Sequence, residues 1–171
     1  MRPGLRIDSL PDDAARTELA NCCGAQRWVD EMSARRPFGT RDAMLAAAAD
    51  VWATMTRDDV LEALAHHPKI GGDLEALRAR YPTRHLDWSD DEQSGVEQAD
   101  DGTLVALRDA NVEYEQRFGY IFVVCATGKS AAEMLDILRD RLHNDPDREW
   151  RVAADEQLAI TRIRIRKLEA T

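Results

Sequence analysis

Apolar positions recur every three or four residues along most of this chain, the spacing that lines one face of an α-helix. The breaks between such stretches fall at proline, glycine or a capping side chain. Pro11-Asp12-Asp13 reads as a helix start with acidic residues at the positive end of the dipole, and Ala14 to Cys22 continues it until Gly24. Trp28, Val29 and Met32 mark the next buried face, which ends where Arg35-Arg36-Pro37-Phe38-Gly39 turns the chain. Thr40 is placed to cap a helix from Arg41 to Thr54 that carries Met44, Leu45, Ala48 and Trp52 inward. Thr56-Arg57-Asp58-Asp59 caps another, in which Val60, Leu61 and Leu64 face the core and which runs into Ala65-His66-His67-Pro68.

A shorter helix is expected from Gly72 to Tyr81, closed by Pro82. Ser89-Asp90-Asp91-Glu92 has the capping-box spacing, as does Ser130 with Glu133 ahead of Met134, Leu135, Leu138 and Leu142. Between them, Thr103 to Phe118 predicts a long helix with Leu104, Leu107, Val112 and Tyr114 as its apolar members, ended by Gly119. Pro146 opens a last segment that runs to about Leu168.

Two stretches resist this scheme. Tyr120 to Ala126 is a continuous, β-branched run that would ordinarily be a buried strand, but no partner strand is evident, so an extended segment threaded between helices is expected. Its backbone groups then need other partners or a ligand. Thr161 to Arg166 alternates polar and apolar like a strand, yet Asp147 to Ala159 before it favours helix. In a helix Arg162 and Arg166 share one side, and Arg164 falls on the opposite arc with Ile160, Ile163 and Leu168. A charge turned toward apolar neighbours needs a carboxylate partner or an anionic ligand. The pattern as a whole predicts an all-α chain, a single-domain helical bundle of about seven to nine helices over residues 1–171, with one extended apolar segment near 120–126.

Charge narrows the function classes. With 32 acidic against 23 basic residues the formal charge is -9, which argues against a general nucleic-acid binder, because phosphate contacts need a basic surface. The most apolar runs are far shorter than the roughly 20 residues of a membrane-spanning helix, and the first residues lack the apolar core of a signal peptide. Cys22, Cys23 and Cys125 cannot all pair with one another, which fits a reducing, cytoplasmic setting. Adjacent His66 and His67 make no helical metal chelate with Asp73 or His85, and phosphate-loop, dinucleotide and serine-nucleophile motifs are absent.

Four polar features lie at the edges of otherwise apolar helices: His67, the Ser89/Glu92/Gln93 group, the extended run at Phe122 to Val124, and Arg164. Pro68 cannot continue a helix, so His67 sits just past a last turn with its imidazole free to point elsewhere. A bundle can bring an imidazole, a carboxylate and a guanidinium into one pocket, for proton transfer and for holding an anion. Each feature also has a structural reading: a helix stop at His67, a capping box at Ser89 and Glu92, a carboxylate partner for Arg164.

Taken in order, Cys22-Cys23-Gly24 with Arg27-Trp28-Val29 and Met32, Arg36-Pro37-Phe38, His67-Pro68-Lys69-Ile70-Gly71, Ser89-x-x-Glu92-Gln93-x-Gly95, Phe118-Gly119-Tyr120-Ile121-Phe122-Val123-Val124-Cys125 and Arg162-Ile163-Arg164-Ile165 resemble the 2-oxo-4-hydroxy-4-carboxy-5-ureidoimidazoline (OHCU) decarboxylase family over nearly the whole chain. The Pro-Lys-Ile-Gly wording after His67 departs from the family's more familiar Pro-Asp-Leu-Ala form, while His67-Pro68 is intact. The C-terminal Glu169-Ala170-Thr171 is not a peroxisomal signal, which fits a bacterial cytoplasmic form.

The resemblance implies a carboxy-lyase of the urate-to-allantoin route that works without metal or organic cofactor, commonly as a homodimer, on a small ureidoimidazoline and not on nucleic acid or membrane. It implies His67 and Glu92 as the catalytic pair, with Pro68, Ser89 and Gln93 against the substrate. Phe122, Val123 and Val124 would complete the pocket, and Arg164 would grip the substrate as an anion. A silent helical module that binds a small anionic ureide or purine is the alternative, since it keeps Arg164 and a pocket but does not need both His67 and Glu92.

Overall fold

The computed structural model describes residues 4–68, 74–80 and 100–168, and among these every regular element is a helix. In chain order these are α1 (Arg6–Ser9), α2 (Asp12–Cys22), α3 (Gln26–Ala34), α4 (Arg41–Trp52), α5 (Arg57–Ala65), α6 (Leu74–Arg80), α7 (Asp101–Phe118), α8 (Ala131–Leu142) and α9 (Pro146–Leu168). No described helix is long and apolar enough to cross a membrane.

The helix boundaries follow from local chemistry. Thr40 accepts a hydrogen bond from the Ala43 amide at the start of α4, and Thr56 forms a capping box with Asp59 at the start of α5. Ser130 and Glu133 do the same for α8, and Asp100 caps α7 by accepting from the Thr103 amide. At the other end of α7, Gly119 adopts a left-handed φ of 81°, which only glycine takes without strain, and its amide closes on the Glu115 carbonyl at 2.9 Å. Residue 120 lies in a bend and residues 121–126 form neither helix nor strand, so the run pairs with no strand among the described residues.

The chain clusters into two compact units. The first comprises Met1–His67, Val123–Cys125 and Arg151–Thr171. Its centre is Trp28, fully buried, with the indole N–H donating to the Ala48 carbonyl at 3.3 Å, among Leu19, Met32, Met44, Ala48 and Leu64. In α5 the inward set is Val60, Ala63 and Leu64, with Leu61 only half-buried. The Trp52 indole donates to the Ala154 carbonyl of α9 at 3.2 Å.

The second unit comprises Pro68–Phe122 and Ala126–Trp150. Here α7 packs on α8 through Leu104, Leu107 and Tyr114 against Met134, Leu135 and Leu138, all buried. Val112, expected on the apolar face of α7, lies 47% exposed: the buried line of that helix passes through Leu107, Ala110, Asn111 and Tyr114, and Val112 falls outside it. Arg78 of α6 reaches Asp101 at the start of α7 with two hydrogen bonds, at 2.9 and 3.0 Å.

The second unit also buries a charge. Glu149 is fully buried and accepts from Arg141 Nε at 2.7 Å, from the Tyr114 hydroxyl and from Asn144 at 2.9 Å. The Arg141 guanidinium lies over the Phe122 ring at 4.6 Å. A buried ion pair is weak as a source of net stability, but losing one member strands the other charge. Glu149→Leu is therefore expected to cost about 3–5 kcal/mol in denaturant unfolding, and Glu149→Leu with Arg141→Met clearly less than the sum of the two single changes.

Candidate functional site

His67 follows directly on the end of α5, where His66 is the C-cap residue and the amide of His67 donates to the Leu64 carbonyl at 3.2 Å. Its imidazole is half-buried and points at α9, where Nε2 lies 2.5 Å from Gln157 Oε1. Gln157 is itself fully buried, and its amide nitrogen donates to Thr161 Oγ1 at 3.2 Å. The Thr161 hydroxyl in turn donates to the Gln157 carbonyl at 3.0 Å.

Arg164 stands one turn further along α9. Its guanidinium donates to the Asn21 carbonyl at 3.3 Å, and its charge is felt at both His67 and Cys23. Helical phase separates it from Arg166, which is exposed, but the buried line of α9 differs from expectation. That line runs through Ala153, Gln157, Thr161 and Ile165 at four-residue spacing, while Ile160, Ile163 and Leu168 are only half-buried. Arg164 flanks the line, partly exposed, so its guanidinium is available to a ligand as well as to Asn21.

Burial holds the His67 imidazole below its ordinary value of 6.5 by disfavouring the charged form. The hydrogen bond to Gln157 works the other way, and the charges of Arg164 and then His66 add to the depression. Burial likewise pushes the Cys23 thiol up to about 11, so it is inert as a nucleophile at neutral pH. Cys22, Cys23 and Cys125 form no disulfide among the described residues. Among the described residues no cluster of three His, Cys, Asp or Glu side chains is placed to hold a metal ion.

The first unit contains His67, Arg164, Val123 and Val124, the last two buried, and the charge of Arg164 reaches His67. Next to them in sequence, the Cys125 amide donates to Glu156 of α9 at 2.7 Å. Pro68 is exposed and begins the second unit. Phe122 is a core aromatic of that second unit, with its ring centroid 5.3 Å from that of Tyr114 and nearly perpendicular to it. Ser89, Glu92 and Gln93 lie outside the described residues.

Gln157 and Thr161 went unremarked in the sequence because a glutamine four residues from a threonine on a charged helix reads as surface. The available signal was phase: both fall on the line of Ala153 and Ile165, where a helix ordinarily carries apolar side chains. Gly24 supports the same corner. A Cβ there would meet the His66 ring at 2.3 Å, so the glycine is what lets the end of α5 pack as it does.

A chain whose described elements are all helices, with a depressed imidazole near an arginine, is a candidate for proton-transfer chemistry on a small anion, and comparison with known proteins gives the family. The model for the OHCU decarboxylase family matches residues 8–166, and the chain belongs to that family. It is 33% identical to the uric acid degradation bifunctional protein TTL of Arabidopsis thaliana over 149 residues, 86% of this chain and 45% of that protein. With the 2-oxo-4-hydroxy-4-carboxy-5-ureidoimidazoline decarboxylase of Amia calva it shares 30% identity over 103 residues, 60% of this chain and 57% of that protein. The chain therefore spans about half the length of these curated relatives. A crystal structure of OHCU decarboxylase in the presence of (S)-allantoin superposes with a TM-score of 0.73 at 30% identity, covering 95% of this chain and all of that one.

Two expectations test this geometry. An NMR titration should place the His67 midpoint below 6.5. Because the folded value is the lower one, the contribution of His67 to stability is present in full above the unfolded value and is lost as pH falls through the folded value. Gly24→Ala should destabilise the protein by about 1–3 kcal/mol through forced movement of His66, measured by thermal or denaturant unfolding.

Proposed function

We propose that this protein catalyses the cofactor-independent decarboxylation of 2-oxo-4-hydroxy-4-carboxy-5-ureidoimidazoline to (S)-allantoin in urate degradation. The observation that carries the reading is the match of nearly the whole chain to the OHCU decarboxylase family, together with 30% identity across all of an OHCU decarboxylase of known structure. The placement of His67 and Arg164 in one unit, where the charge of Arg164 reaches the imidazole, is compatible with it.

The chemistry asks little of the protein. Cleavage of the C–CO2 bond leaves an electron pair that the unsaturated substrate takes up as an enolate-type intermediate, so the substrate is its own electron sink. What remains is orientation and proton delivery to one face. In this reading Arg164 holds an anionic oxygen of the substrate, and His67, neutral near pH 7, manages protons together with Glu92. The family resemblance assigns substrate contacts to Pro68, Ser89, Gln93, Phe122, Val123 and Val124. The active form is a homodimer, and the three cysteines, which form no disulfide among the described residues, support a cytoplasmic location.

Freshly generated substrate should yield (S)-allantoin, followed by circular dichroism, well above the spontaneous rate; no acceleration overturns the assignment. His67→Ala and Glu92→Ala should each lower kcat by about 10²–10⁴ in folded protein, the usual weight of a positioned acid or base. Arg164→Ala should act mainly on KM.

A further inference from the structure

We infer that Gln157, locked by Thr161, is a positioning residue that fixes His67 in the tautomer with the proton on Nε2, leaving Nδ1 as the nitrogen that exchanges protons with the substrate. The inference rests on the decarboxylase reading only for its catalytic half. The hydrogen-bond argument stands without it.

The lock is built from donor and acceptor inventory. Thr161 has one hydroxyl proton, and it is directed at the Gln157 backbone carbonyl, 3.0 Å away. With that proton on the carbonyl, its oxygen accepts from the Gln157 side chain, which puts the amide NH2 at 3.2 Å, while the Cys23 thiol is a further hydrogen-bond neighbour of the same hydroxyl. Turning the amide over would set its oxygen against the hydroxyl oxygen and draw the hydroxyl proton off the Gln157 carbonyl, inside a core where both residues are buried to within 1%. The amide oxygen therefore faces the imidazole, 2.5 Å from Nε2, and an oxygen there requires a proton on that nitrogen.

A neutral imidazole carries one ring proton, so Nδ1 keeps its lone pair. When Nδ1 takes a proton, Nε2–H still donates to Gln157, and when the proton is delivered the same bond remains. The ring need not turn between the two states. An amide also performs this task without adding charge: a carboxylate at the same place would favour the imidazolium, whereas burial and the nearby Arg164 keep His67 neutral. This explains why a fully buried polar side chain occupies a position on α9 where the helix phase calls for an apolar one.

The test is nitrogen-15 NMR of the His67 ring in the full chain, with kcat and KM beside it. Wild-type protein should show the Nε2–H tautomer. Gln157→Leu should lose that preference and lower kcat about 10-fold or more, with KM little changed, as expected when a catalytic histidine loses the group that sets its tautomer. Gln157→Glu, which keeps an acceptor, should keep the Nε2–H tautomer and raise the His67 midpoint. Should Gln157→Leu not fold, the near-isosteric Thr161→Val frees the amide to turn and should give a mixture of tautomers. A wild-type Nδ1–H tautomer, or a folded Gln157→Leu or Thr161→Val with tautomer and kcat unchanged, overturns the inference. The two readings separate cleanly: an inactive wild type with the Nε2–H tautomer removes the decarboxylase and leaves the lock, while an active enzyme with the Nδ1–H tautomer does the reverse.

Discussion

The constraint on which this structure depends is the buried line of α9, because that line is partly polar. A helix that turns Glu149, Gln157 and Thr161 into the core must find partners for each, since an unsatisfied buried polar group costs about 1–3 kcal/mol and a charge more. Glu149 takes Arg141, Tyr114 and Asn144; Gln157 takes His67 and Thr161. These demands reach different helices in the two units, and each specifies geometry more narrowly than an apolar contact of the same size. Apolar packing says that two helices touch; a hydrogen-bonded amide says which atom of an imidazole faces it.

That distinction separates what was legible in the sequence from what was not. Helix starts were legible because the cap is a local device: Thr40, Thr56 and Ser130 each satisfy an amide three residues on, and nothing distant alters that. The stop at Gly119 was legible for the same reason. Helix α1, a single turn, was not, because four residues cannot show a period. The inward face of a long helix was only half legible. Val112 and the arc of Ile160, Ile163 and Leu168 fit the pattern but not the packing, since neighbouring phases of an amphipathic helix differ by a small rotation that tertiary contacts decide.

The candidate site divides in the same way. His67 was legible from Pro68, which ends the helix and frees the imidazole, and Arg164 from its place on α9. Gln157 was not, because its meaning lies in a hydrogen bond to a residue 90 positions away. The order of the motifs carried the family, which is a statement about descent, and family membership fixed the expected chemistry more sharply than any local pattern did. Geometry then supplied what the motifs lacked, a hydrogen bond that sets one nitrogen of the His67 ring apart from the other.

The cap of α5 has a further consequence. Asp59 accepts from both the amide and the hydroxyl of Thr56 at 2.8 Å and also from Arg27 of α3 at 3.2 Å. A nine-residue helix has almost no stability of its own, so α5 persists through such ties and through Val60, Ala63 and Leu64. The imidazole at its far end is therefore held at a distance by a largely covered carboxylate, and the local opening of α5 and α3 belongs to one cooperative event. In hydrogen exchange the two helices would share a single protection level, and His67 would be positioned for as long as that shared foldon stays closed.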